Sequence, residues 1–153
     1  MDLGHNLAAK ALSHVGEAEQ PLGSNAGPFV NECLAYVGLP PGNPWCAAFA
    51  CKEVGDSIAE MGISADAPCS GSSGALVAWA KEHGTIVDCP QAGDLGEVIG
   101  DSPTGYVHTV VCYTNADEIE TIEGNEGDKV AKRTRTLDEC TWLRPYVVHA
   151  PND

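Results

Sequence analysis

Apolar positions in the first half of the chain recur at helical spacing. Leu3, Leu7, Ala8, Ala11, Leu12 and Val15 share one face until Gly16 interrupts the run. A turn-rich stretch, GEAEQPLGSNAGP, follows, and Pro28 is placed to open a short second helix reaching Val37. The stiff GLPPGNP segment then forbids a helix before Trp45. From Cys46 onward, Ala47, Ala50, Cys51, Val54, Ile58 and Met61 form one apolar stripe that Gly62 ends. A further helix, SSGALVAWAKEHG, starts on a serine cap and closes at Gly84. Beyond it the apolar period drops from that of a helix to that of a strand. TIVDC, DLGEVIG, YVHTVVCYT, EIETIEG, DKVAKRTR and PYVVHA read as short strands separated by Gly, Asn, Asp or Pro turns. Helices first and an antiparallel sheet afterwards predict an α+β fold in a single domain over residues 1–153.

A length of 153 residues suits one hydrophobic core. Against 8 Lys and Arg stand 22 Asp and Glu, a formal net charge of −14, which argues against a nucleic-acid partner. The imbalance is local, because five of the eight basic residues follow position 128. No apolar run approaches the length of a membrane span, so no membrane insertion is expected. The N-terminal MDLGHNLAAKALSHVG lacks the basic and apolar regions of a signal peptide. Export by a route that needs no cleaved leader stays open. The seven cysteines, at 33, 46, 51, 69, 89, 112 and 140, show no CxxC pair and no Cys/His cluster, so no structural metal is expected. Cys51 and Cys112 lie in apolar runs and read as small buried hydrophobes. Pairing among Cys33, Cys69, Cys89 and Cys140 stays open.

Three segments offer chemistry. NPWCAAF, residues 43 to 49, delivers Cys46 to the first turn of a helix, where unpaired N–H groups favour a thiolate; Cys46 could equally be one more core residue. YVHTVV places His108 inside a strand, sharing a face with Tyr106 and Val110, as a general base or a satisfied core histidine. His5, His14, His83 and His149 sit near termini or helix ends and have weaker claims. TIEGN ends a strand that can lie beside that of His108. Glu123 could orient the imidazole, and Asn125 could supply an amide or serve only the turn.

In this order, a cysteine on a helix, a histidine on the sheet and a glutamate on the adjoining strand resemble the papain-like constellation. The chain resembles the CHAP domain (cysteine, histidine-dependent amidohydrolase/peptidase) of phage and bacterial cell-wall lysins, close to the NlpC/P60 superfamily. NPWCAAF, AWAKEHG, QAGDLGEV, GYVHTVVCY and TIEGNEGDKVAKRTR carry the likeness, which runs from about Leu7 to Pro145. It implies a papain-like fold with N-terminal helices packed on a small antiparallel sheet. It also implies Cys46 as nucleophile, His108 as base, Glu123 as the residue orienting it, Asn125 as an assisting amide and Trp45 lining the substrate groove. The implied activity is a cofactor-free, monomeric peptidoglycan hydrolase acting on stem or cross-bridge peptides. The acidic first 128 residues favour a stem-peptide endopeptidase slightly over an N-acetylmuramoyl-L-alanine amidase. Ala50, Cys51 and Lys52 stand where many relatives carry Val-Ser-Trp, a difference that bears on packing. Glu32 is the only carboxylate between residues 25 and 44, so the calcium loop of some phage members is not expected. The competing readings are an inactive virion or secretion-apparatus module and a cysteine protease or toxin acting on proteins.

Overall fold

The computed structural model describes residues 2–150. Four helices form where the apolar stripes lie: α1 (Leu3–Ser13), α2 (Pro28–Tyr36), α3 (Cys46–Met61) and α4 (Ser73–His83). Their ends follow local chemistry. Asp2 caps α1 by accepting from the His5 N–H at 2.8 Å, and the Ser72 hydroxyl accepts from the Ala75 N–H at the start of α4. Gly62 and Gly84 adopt left-handed conformations that stop α3 and α4, as expected of helix-ending glycines. No helix among the described residues is long and apolar enough to cross a membrane.

The strands are β1 (Ala65–Asp66), β2 (Ile86–Val87), β3 (Leu95–Ile99), β4 (Tyr106–Asn115), β5 (Ile119–Glu123), β6 (Ala131–Arg135), β7 (Cys140–Leu143) and β8 (Val147–Val148). Six of them make one antiparallel sheet in the order β2-β7-β3-β4-β5-β6. The α+β architecture, with N-terminal helices against a small antiparallel sheet, is therefore as expected. Alternation along β4 distributes its side chains between two clusters. Val111 joins Leu95, Ile122 and Leu143 beneath Phe49, Ala50 and Cys51 of α3, while Val110 and Cys112 pack with Ile119, Cys140 and Trp142 on the other face.

Two strand expectations need correction. β7 was not anticipated, yet it lies between β2 and β3. Its CTWL sequence is short, and Trp142 and Leu143 enter opposite clusters, so no single apolar face marks it. PYVVHA contributes only Val147 and Val148, which pair with β1 in a separate two-stranded ribbon.

The turn-rich segment between α1 and α2 is anchored to the approach to β6. Ala18 bridges Lys129, the Gly16 N–H donates to the Val130 carbonyl, and the Glu19 N–H donates to that of Asp128. At the other end of β5, Gly124 meets α3 so closely that an added Cβ would fall 2.8 Å from the Phe49 Cβ. That close approach brings the end of β5, and with it Glu123, up to the start of α3.

Candidate functional site

Cys46 opens α3, as the proline-rich loop before it requires. Trp45 occupies the capping position without a side-chain cap, so no side chain neutralises the N–H groups of the first turn. Cys46 is half-buried, whereas Cys33, Cys51, Cys112 and Cys140 are buried. Burial opposes ionisation of the Cys46 thiol. A hydrogen bond and charge from His108, with the main-chain N–H groups of Thr109 and Ala47, outweigh it and lower the thiol below its ordinary range.

His108 stands on β4 next to a bulge. Val98 pairs with His108 and Ile99 with Tyr106, leaving Val107 as the extra residue. The bulge breaks the alternation expected between Tyr106 and His108, and the Tyr106 hydroxyl instead meets Thr141 Oγ1 at 3.0 Å. The His108 Nε2 lies 3.0 Å from Glu123 Oε1. With Nε2 so engaged, Nδ1 is the ring nitrogen left for the thiol. Burial disfavours the imidazolium, but the hydrogen bonds to Cys46 and Glu123 prevail and raise His108 to about 9.

Glu123 is fully buried and fully partnered. Its Oε1 faces His108 and accepts from Arg135 Nη2 at 2.6 Å. Its Oε2 accepts from Arg135 Nε at 2.9 Å and from the Thr121 hydroxyl at 2.5 Å. Burial pushes the carboxyl up, yet Arg135, His108 and Thr121 together hold it down at about 2. Arg135 is further tied to Glu139 at 3.2 Å.

The sequence-expected residues divide. His108 and Glu123 come together, and His108 bears on the Cys46 thiol as a cause of its lowering. Asn125 sits in the turn after β5 with φ of 59°, half-buried, and takes no part in the His108–Glu123 hydrogen bond. Its left-handed backbone accounts for an asparagine at this turn. Trp45 requires correction as a groove residue, because it is 0% exposed and offers no face to a ligand. Its Nε1 donates to Glu19 Oε2 at 2.9 Å, and Phe29 packs edge-on at 6.3 Å. The segment before α2 thus closes over the indole, satisfying its one donor inside the core.

Sequence reasoning did not single out Arg135, Thr121 or Glu126, which surround the His108–Glu123 pair. Thr121 was legible in principle, lying two positions before Glu123 on the same strand face. The concentration of basic residues after position 128 was a hint of an internal partner such as Arg135. His108, Glu123 and Glu126 place one potential ligand atom each within 4.8 Å of one another. The geometry does not favour a cation there: both Glu123 oxygens are committed, the Arg135 guanidinium is adjacent, and Glu126 is ion-paired with Arg133. All seven cysteines are free, so the four left open are unpaired thiols. Burial pushes the Cys51 and Cys112 thiols up to about 12, consistent with packing roles.

Set against known proteins, the chain matches no family model, no curated protein and no solved structure.

Proposed function

We propose that the chain is a cysteine-dependent hydrolase that cleaves an amide bond in bacterial cell-wall peptides. The observation that supports this reading is an imidazole held at 3.0 Å by a fully partnered carboxylate, together with a helix-terminal thiol that the same imidazole lowers. The resemblance of NPWCAAF, GYVHTVVCY and TIEGN to CHAP-domain lysins supplies the substrate class. Among those peptides, the acidic body of the chain favours stem-peptide endopeptidase action on neutral or amine-bearing groups.

The chemistry follows from the opposed shifts. Lowering Cys46 and raising His108 favours the thiolate–imidazolium pair over the neutral pair. The thiolate adds to the carbonyl carbon, and the resulting oxyanion develops beside the uncapped N–H groups of the first turn of α3. Collapse breaks the carbon–nitrogen bond, and the imidazolium gives its proton to the departing amine. Neutral His108 then takes a proton from water, whose hydroxide adds to the thioester. The thiolate leaves as the carboxylic acid product forms. Glu123 stays ionised throughout, keeping the proton-bearing Nε2 directed at itself and Nδ1 at the sulfur.

Purified protein incubated with washed cell walls, followed by mass spectrometry of the digest, tests this. Shortened stem peptides still attached to muramic acid are expected from the wild type and none from Cys46→Ala. Intact stems freed from glycan would identify an amidase instead. Undiminished product from a folded Cys46→Ala variant would end the cysteine-hydrolase reading.

A further inference from the structure

A cavity of about 840 Å³ lies at the far end of β4 from His108. That volume is typical of a small-molecule site. Tyr113, the first β4 residue to line it, follows His108 by five positions, about 16 Å along the strand. None of the residues placed in the site above lines it. Four segments converge there: the start of α1, the loop before β3, the end of β4 and the stretch after β7. They are locked together. An added Cβ on Gly4 would fall 2.4 Å from the Ala92 carbonyl oxygen, and one on Gly93 would fall 2.4 Å from that of Gly4. Helix α1 therefore sits directly on the loop. The Asn115 side-chain amide donates to the Pro90 carbonyl at 3.0 Å and ties β4 to the same loop. The walls are thus formed before any ligand arrives.

The charged groups of the lining are matched within the protein. Arg144 donates through Nε and Nη2 to the buried Asp94 carboxylate at 3.0 and 3.1 Å. Asp2 accepts from the His5 main-chain N–H at 2.8 Å, and His5 Nδ1 meets the same oxygen at 2.8 Å. An ionic ligand would compete with these pairs, so the lining suits a neutral one. Arg144 keeps Nη1 as a donor, and the half-buried Tyr146 hydroxyl can donate or accept. Asn115 spends Nδ2 on Pro90 and, at 3.4 Å, on Cys89 Sγ, which leaves its carbonyl oxygen as an acceptor. Ala8 and Ala9 of α1 add a small apolar face beside these groups.

We propose that this cavity binds an uncharged, N-acetylated oligosaccharide. Every sugar hydroxyl both donates and accepts. An acetamido group adds an N–H for Asn115 Oδ1, a carbonyl for Arg144 Nη1 and a methyl group that suits the alanines. Chitin-type chains and the glycan strands of cell walls share this chemistry. Only the second source rests on the proposed function, in which the cavity holds the glycan while Cys46 acts on its peptide.

Titration of the isotope-labelled full chain with tetra-N-acetylchitotetraose, followed through amide chemical shifts, tests this. Shifts are expected at Ala8, Ala9, Gln91, Asn115 and Tyr146, and equally in Cys46→Ala. Cellotetraose, which lacks acetamido groups, is expected to bind at least about tenfold more weakly. Ala9→Phe fills the cavity from an exposed helix position and is expected to weaken binding at least about tenfold, with Tyr146→Phe costing about threefold. No shifts at up to about 10 mM sugar would overturn the proposal. So would shifts confined to the surroundings of Cys46 and His108, or equal binding of cellotetraose. Unchanged affinity in Ala9→Phe would do the same; should that variant fail to fold, the cellotetraose comparison in wild type still decides. Peptide-free cell-wall glycan strands are the second probe: binding at least as tight assigns the wall as source, and weaker binding overturns that source. Sugar binding by a chain inactive on cell walls would sink the proposed function alone, and peptide cleavage without sugar binding would sink this site alone.

Discussion

The molecule contains two neighbourhoods of cysteine, histidine and glutamate, and they behave in opposite ways. At the start of α3, His108 meets Glu123 at 3.0 Å, and Cys46 and Glu123 together raise its imidazole to about 9. Farther along α3, His14 Nδ1 meets the buried Glu53 Oε1 at 2.5 Å, with the buried Cys33 thiol in electrostatic range of Glu53. The pairings look alike, but the carboxylates do not. Glu123 accepts from Arg135, Thr121 and His108 and is held at about 2. Glu53 has an unpartnered Oε2, and burial raises it despite His14. The thiols follow suit. Cys46 is lowered by His108 and main-chain donors, whereas burial and the Glu53 charge push Cys33 up to about 12. Proximity of the three residue types is thus insufficient. On the proposed reading, thiol reactivity needs a carboxylate whose lone pairs are all met and an imidazole that favours the thiolate.

The contrast is most exposed to refutation in thiol reactivity. At pH 7, iodoacetamide is expected to alkylate Cys46 at least roughly a thousandfold faster than Cys33, because the half-buried Cys46 thiol is lowered whereas burial pushes that of Cys33 up to about 12. Comparable rates at the two sites would erase the distinction. Since the imidazolium partner is lost as pH rises through about 9, turnover is expected to fall above that value.

A smaller effect is expected from altering each glutamate. Glu123→Gln should reduce kcat by roughly a hundredfold, through a misdirected imidazole, with KM little changed. Glu53→Gln should leave turnover within about twofold of wild type, as it touches no group proposed for the reaction. Equal losses from both substitutions would show that either pair serves only the fold.

Stability against pH gives the finest comparison. Glu123 titrates at about 2 when folded, against 4.5 for the unperturbed group, so its contribution is complete above about pH 4.5 and is lost as pH falls toward 2. Glu53 is raised, so the sign reverses: the folded state holds its proton more tightly, and stability declines as pH rises past the ordinary carboxylate value. Thermal melts at pH 7 should show Glu123→Gln lowered by roughly 8 °C, since Arg135 loses its main partner. Glu53→Gln should be unchanged or raised by up to about 4 °C. A large loss of Tm in Glu53→Gln would mean that His14 holds that carboxylate ionised and favourable.

Local rules were enough for the helices and for most of the strands. Asp2, Ser72, Gly62 and Gly84 act on the few residues beside them, so their effect is written in the order of the chain. Cys46 could be placed at a helix start for the same reason, since GLPPGNP admits no earlier one. His108 and Glu123 could be assigned to neighbouring strand segments by alternation and a short turn. What alternation could not supply was register and coverage. Only the assembled sheet sets β7 between β2 and β3, slips the β3–β4 ladder by one residue at Val107 and places Glu97 across from Thr109. Trp45 was misjudged for a related reason. Its burial depends on Glu19, 26 residues earlier, arriving as acceptor for the indole N–H. Arg135 likewise reaches Glu123 across strands, 12 residues away in sequence. The sequence by itself determined which groups were available to ionise and on which elements they sit. Tertiary structure alone decided which of them are partnered, because desolvation and the number of hydrogen bonds at a buried carboxylate depend on contacts between segments far apart in the chain.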